Sequence, residues 1–226
     1  MGLKGVSVLI PAYNEEERLG ATLDGLLEAL SPSQILVIDD GSEDQTAVVA
    51  MERGVRLLSL PGNRGKGEAL EAGLERTEGE VILFLDADLG ATGLQALRLA
   101  EPVLEDEAEA TIGLFPPPKK RGGLGVVRFV AQLGVLLLGG RRVRGVLSGQ
   151  RAFRQELIRD LLPFASGFGL ELGLTLDLLK RDVSFRELEL GLRHRETGND
   201  WQGFMHRGRQ LLDILRVLVI KFRAGG

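Results

Sequence analysis

The 226-residue sequence contains no cysteine, a single tyrosine, a single tryptophan and two histidines. Without cysteine there is no disulfide framework, no thiolate metal site and no cysteine nucleophile, and a cytoplasmic setting is expected. Aromatic residues make up 5% of the chain, few of them interleave with arginine, and no nucleic-acid motif occurs. Nucleic acid is therefore not an expected partner. Long apolar runs are also missing. The uncharged stretch between Arg128 and Arg141 has 12 residues, well short of the ~20 that a spanning helix needs. The apolar run Val6–Ile10 is too short for a signal peptide and leads into Pro11 and a polar turn.

The composition is otherwise that of a globular chain, with 44% hydrophobic and 27% charged residues. Its length suits a single domain with an embellished second half. The acidic residues avoid one segment. The net charge of −4 divides into −14 over residues 1–109, +9 over residues 110–155, which hold no acid, and +1 over residues 156–226. This asymmetry suggests an anionic partner for the middle block, with a solvated arginine-rich surface as the alternative.

Hydrophobic periodicity in the first half alternates between strand and helix. Strands are expected at Val6–Ile10, Ile35–Ile38, Val55–Leu60 and Val81–Leu85, with helices at Glu15–Leu30, about Asp44–Arg53 and Lys66–Arg76. This alternation predicts an α/β protein with a mostly parallel sheet covered on both faces. The second half is less regular. It suggests a strand at Ala110–Phe115, an amphipathic helix at Leu124–Leu138, helices at Gln155–Leu162 and Leu170–Leu179, a strand at Ser184–Leu192 and a closing helix at Trp201–Phe222.

Polar clusters follow each of the first four strands: Pro11-Ala12-Tyr13-Asn14-Glu15-Glu16, Asp39-Asp40-Gly41-Ser42, Gly62-Asn63-Arg64-Gly65-Lys66-Gly67 and Asp86-Ala87-Asp88. In open parallel sheets ligands bind outside the carboxyl ends of the strands, so these clusters mark the expected site. Asp86 and Asp88 could hold a hard divalent cation, Mg2+ or Mn2+, which in turn binds a diphosphate; a helix cap plus a solvated acid is the alternative. The glycine-rich loop could cradle phosphate through its amides, with charge from Arg64 and Lys66. It is not a P-loop, and the first turn lacks the glycines of a dinucleotide fingerprint.

In their order and spacing, the strings PAYNEEERL, VIDDGSEDQT, GNRGKGEAL and LFLDADL resemble family 2 glycosyltransferases of the GT-A fold. The likeness is nearest to the dolichol-phosphate mannose synthase and polyprenyl-phosphate glycosyltransferase branch. It continues through Ser148-Gly149-Gln150-Arg151-Ala152-Phe153, similar to the family's acceptor-side segment but with Gln150 in place of an aromatic residue. The resemblance implies that Pro11, Ala12, Tyr13 and Glu15 line the nucleotide pocket, that Asp40 contacts the base or ribose, and that Asp39 supports that turn. It also implies that Arg64 and Lys66 lie near the phosphates, and that Asp86 and Asp88 are the DxD pair, with Asp88 the direct metal ligand. Gly90 stands where relatives carry Gln, which leaves His194 as the candidate third ligand. Glu171 occupies the region of an acid facing the acceptor, a general base if the acceptor is a hydroxyl.

The resemblance divides the chain into a nucleotide-sugar half, residues 1–109, and an acceptor half, residues 110–226. Arg128, Arg141, Arg142, Arg144, Ser148, Gln150 and Arg151 are then expected to serve an anionic acceptor, with peripheral membrane contact if that acceptor is a lipid phosphate. The expected activity is metal-dependent, inverting transfer from a UDP- or GDP-sugar to a polyprenyl phosphate. Transfer to a small phosphorylated acid, of the glucosyl-3-phosphoglycerate synthase type, is the runner-up. A sugar-nucleotide pyrophosphorylase and a silent nucleotide-sugar binder are the alternatives from other classes.

Overall fold

A computed structural model describes residues 3–116, 124–191 and 201–223. The first half builds β1 (Val6–Ala12), α1 (Glu16–Leu27), β2 (Ile35–Asp39), α2 (Thr46–Glu52), β3 (Arg56–Ser59), α3 (Lys66–Leu74) and β4 (Val81–Phe84). Two short helices, α4 (Gly93–Ala96) and α5 (Glu101–Leu104), lead into β5 (Ala110–Leu114). The second half adds α6 (Leu124–Gly139), β6 (Arg151–Arg154), α7 (Gln155–Asp160), α8 (Leu170–Lys180), β7 (Phe185–Glu189) and α9 (Trp201–Arg223).

All seven strands lie in one sheet, in the order β3-β2-β1-β4-β6-β5-β7. The pairs β1·β2, β1·β4, β2·β3 and β5·β7 are parallel, whereas β6 runs antiparallel to both β4 and β5. The parallel strands therefore share a carboxyl edge, and β6 starts at that edge.

Alternating side chains divide the core as a period-2 pattern requires. Leu9, Ile38, Ile82 and Phe84 face the layer that includes α3, α6, α8 and α9. Val8, Ile10, Val37 and Leu83 face the layer of α1, α2 and residues 89–103. The chain steps outward from β1 to β3 and then returns past β1 to β4. With right-handed crossovers, that reversal places α3 on the opposite face from α1 and opens a crevice between β1 and β4.

The expected strands and helices are present with bounds shifted by a few residues, apart from β6. Ser148–Phe153 is expected as an acceptor-side segment, and from Arg151 onward it is an internal strand hydrogen-bonded on both sides. Arginine at each end masks its apolar centre, Ala152-Phe153, from a periodicity reading.

Candidate active site

At the carboxyl ends of β1 and β2, two loops are tied together. Asn14, in the left-handed region at φ 54°, donates its N–H to Ser42 Oγ (3.0 Å), and its Oδ1 accepts from the Glu43 N–H (2.9 Å). The Glu15 N–H donates to Thr46 Oγ1 (2.8 Å). Tyr13 stays exposed beside buried Ala12. Asp39 braces the turn that follows β2 by accepting from the Ser42 N–H (3.0 Å).

Asp40 is the residue expected at the base or ribose. It is buried, and its two carboxylate oxygens accept the N–H groups of Arg64 and Gly65, each at 2.8 Å. It therefore shapes the glycine-rich loop, leaving the Arg64 side chain exposed. Gly41 makes this approach possible. Its φ is +74°, and a Cβ there would lie 2.5 Å from the Cα of Gly62.

The Asp86–Asp88 turn is held from α1. Thr22 Oγ1 donates to the Ala87 carbonyl (2.7 Å) and accepts from the Gly90 N–H (2.9 Å). Neither bond was anticipated, although a threonine among Leu19, Leu23 and Leu26 on a buried helix face is a sequence signal for a buried polar tie. Lys66, at the start of α3, joins the two halves of the chain. Its ammonium donates to Asp86 Oδ1 at 2.7 Å and to Glu171 Oε1, in the first turn of α8, at 2.8 Å. The two carboxylates outweigh its burial and push the Lys66 pKa up. Gly149 leaves room for this pair, since a Cβ there would lie 2.5 Å from Lys66 Nζ and 2.7 Å from Asp86 Oδ1.

Two acids, Asp86 and Glu171, thus hold Lys66, and Glu15 feels the charges of Asp86 and Asp88. Burial pushes the Glu15 carboxyl up, opposed by its bond to Arg18 and reinforced by the charges of Asp88 and Asp86. Two carboxylates with hard oxygen donors and a local excess of negative charge fit Mg2+ or Mn2+, which need few protein ligands when phosphate oxygens complete the shell. Among the described residues no group of three or more metal-ligating side chains occurs. The candidate third ligand, His194, lies outside the described residues.

The acceptor-side residues are not all brought together. Gln150 is fully buried and contacts Asp86: its Oε1 accepts the Asp86 N–H (3.0 Å), and its Nε2 donates to Asp86 Oδ2. Arg151, 1% exposed, donates to the carbonyls of Ser148 (2.9 Å), Val146 (3.0 Å) and Glu171 (2.9 Å) and to Thr175 Oγ1 (3.0 Å). Burial lowers its pKa to about 10. Gln150 and Arg151 are therefore internal struts rather than open acceptor contacts. Ser148 is likewise buried, with its Oγ accepting from the Gln150 N–H (3.4 Å).

Arg128, Arg141, Arg142 and Arg144 are exposed. The Arg141 guanidinium lies 4.8 Å from the ring centroid of Phe185, the first residue of β7. Arg144 pairs with Glu189, the last residue of β7, at 2.8 Å. At ~3.3 Å per residue the two ends of β7 are about 13 Å apart, so Arg141 sits at the edge of the sheet away from Asp86. A depression of about 470 Å3 between α3 and residues 163–167 shares Arg64 with the donor loop. Glu68, Glu71 and Glu75 line it, which makes it a poor seat for a diphosphate.

Comparison with known proteins agrees with this geometry. The family model for glycosyl transferase family 2 matches residues 7–162. The chain belongs to that family. Glucosyl-3-phosphoglycerate synthase of Mycobacterium tuberculosis is 32% identical over 89% of this chain and 70% of its own length. A crystal structure of the M. tuberculosis enzyme with Mn2+, UDP-glucose and phosphoglyceric acid matches with a TM-score of 0.78 at 31% identity, covering 94% of this chain and 79% of that one. Dolichyl-phosphate beta-glucosyltransferase of Mus musculus is 40% identical over a shorter stretch, 46% of this chain and 36% of the mouse protein. The fold is accordingly GT-A, and the protein is a glycosyltransferase of family 2.

Proposed function

We propose that this glycosyltransferase moves glucose from UDP-glucose to a hydroxyl of a small phosphorylated acid such as phosphoglycerate, with inversion and with Mg2+ or Mn2+, in the cytoplasm. The carrying observation is Lys66, whose ammonium holds Asp86 of the donor edge and Glu171 of the acceptor side within one hydrogen-bonded unit. The acceptor choice is supported by the phosphoglycerate-using relative, whose likeness spans 89% of the chain, against 46% for the lipid-using one.

In this reading the loops 11–16 and 62–67 bind the uridine and the diphosphate, and Asp86 and Asp88 hold the cation. The bound cation supplies charge neutralisation at the leaving diphosphate. The acceptor oxygen forms a bond to the anomeric carbon as the bond to the diphosphate oxygen breaks, with the electron pair leaving on UDP. Glu171 receives the hydroxyl proton.

The test combines the protein with Mn2+, a panel of UDP-, GDP- and ADP-sugars, and 3-phosphoglycerate, and follows nucleotide release and the mass of the product. UDP release with a glucosylated acid is the expected result. Release that requires polyprenyl phosphate instead would overturn the acceptor assignment.

One observation favours that second reading, a lipid phosphate at a membrane surface. No described helix is long and apolar enough to cross a membrane. Yet α6 exposes Val126, Phe129, Leu133 and Leu137 at helical spacing, and α9 exposes Leu212, Leu215, Val219 and Phe222. The two helices abut closely, since a Cβ on Gly134 would lie 2.3 Å from Leu218. Arg216 and Arg223 border the α9 stripe, an arrangement suited to an anionic bilayer. Co-sedimentation with anionic vesicles, lost in the Leu137→Asp/Phe222→Asp variant, would support it; absence of vesicle binding would remove it.

A further inference from the structure

We propose that Gln150 is a positioning residue for the donor site, acting through Asp86 rather than on the acceptor. The inference rests on the proposed role of Asp86 at the cation and diphosphate.

The sheet brings the two residues together. β6 pairs antiparallel with β4, with Phe84 opposite Arg151, so the chain beyond β4 runs beside the chain entering β6. One step past that pair, Gln150 is held in place by the Gly113 N–H, which donates to its carbonyl (2.8 Å). Its side chain then meets Asp86 at two points. The Asp86 N–H can only donate, so the amide oxygen Oε1 must face it, at 3.0 Å. That orientation turns Nε2, which can only donate, towards Asp86 Oδ2. Lys66 takes the other carboxylate oxygen, Oδ1, at 2.7 Å.

Asp86 is thereby gripped on its backbone and on both oxygens. Each carboxylate oxygen has a further lone pair, so the grip fixes the direction of those lone pairs without consuming them. A carboxylic ligand held in this way needs no reorganisation when the donor arrives, the usual role of residues that orient metal-binding groups. An uncharged amide suits the position. A carboxylate there would face Asp86 with like charge, and an apolar side chain would leave the Asp86 N–H buried without that partner.

Gln150→Leu and Gln150→Glu test the assignment. Binding of UDP in the presence of Mn2+ is measured by calorimetry, and KM is measured separately for UDP-glucose and for the acceptor. Each variant is expected to weaken Mn2+-dependent UDP binding at least tenfold, while the acceptor KM changes less than twofold. Gln150→Glu keeps the size and an acceptor for the Asp86 N–H, so it remains informative if Gln150→Leu fails to fold. Combining either change with Asp86→Asn should cost no more than Asp86→Asn alone, because both act through one carboxylate. A raised acceptor KM with unchanged UDP affinity, or losses that add on the Asp86→Asn background, would overturn the proposal. Failure of the unmodified protein to bind UDP with Mn2+ would instead overturn the donor reading on which it rests.

Discussion

The two halves of the chain place their polar groups by different means. At the donor edge, side chains hold the main chain of the next loop: Asp39 holds Ser42, Asp40 holds Arg64 and Gly65, and Thr22 holds Ala87 and Gly90. In the second half, the buried guanidinium of Arg151 on β6 collects three carbonyls and a hydroxyl from the approach to β6 and from α8. The first arrangement presents a set of carboxylates and amides to an incoming ligand. The second uses up a charge internally to hold a shape, so a positive residue in the acceptor segment does not by itself mark an anion contact.

That contrast can be broken most forcefully at Asp88. Asp88→Asn is expected to lower transfer by about 10³-fold or more, roughly 4 kcal/mol of transition-state stabilisation, and to abolish Mn2+-dependent UDP binding. Unchanged UDP affinity in calorimetry would remove the cation from this residue. Arg151→Met should act on stability instead. It strands the carbonyls of Val146, Ser148 and Glu171 and should lower unfolding free energy by about 3 kcal/mol in urea titrations. UDP affinity of the folded variant should stay within about threefold. A larger loss would show that the strut also serves the donor edge.

Thr22→Val keeps the shape of the side chain but removes both ties to the 87–90 turn. A loss of about 1–2 kcal/mol is expected, together with a raised donor KM and an unchanged acceptor KM. The smallest effect is expected at Arg141, which stacks on Phe185 at the far edge of the sheet. Arg141→Ala should cost about 0.5–1 kcal/mol of stability and change acceptor KM less than twofold. A strong acceptor defect at Arg141 would restore the basic block as one binding surface.

Legibility in the sequence followed the range of the contacts. The alternation of Val6–Ile10, Leu19–Leu30 and Ile35–Ile38 carries the parallel sheet, because strand and helix periods are local properties. The clusters after β1 to β4 could be grouped because parallel strands end at one edge. The hold of Asp40 on the Arg64 and Gly65 amides was not legible, because backbone partners leave no trace in residue type. Arg151 was misread because a buried guanidinium and an exposed one look the same in sequence.

The sequence by itself determined the fold class, the family and the carboxylate pair Asp86 and Asp88, all carried by short strings and local periodicity. Only the tertiary structure decided the links across the site. Lys66 reaches Glu171 over 105 residues of chain, and Gln150 reaches Asp86 over 64. The second pairing exists because β6 inserts antiparallel between β4 and β5, bringing the start of β6 to the carboxyl end of β4. Strand order is set by which faces bury best across the whole sheet, a global balance that no local segment of the chain encodes.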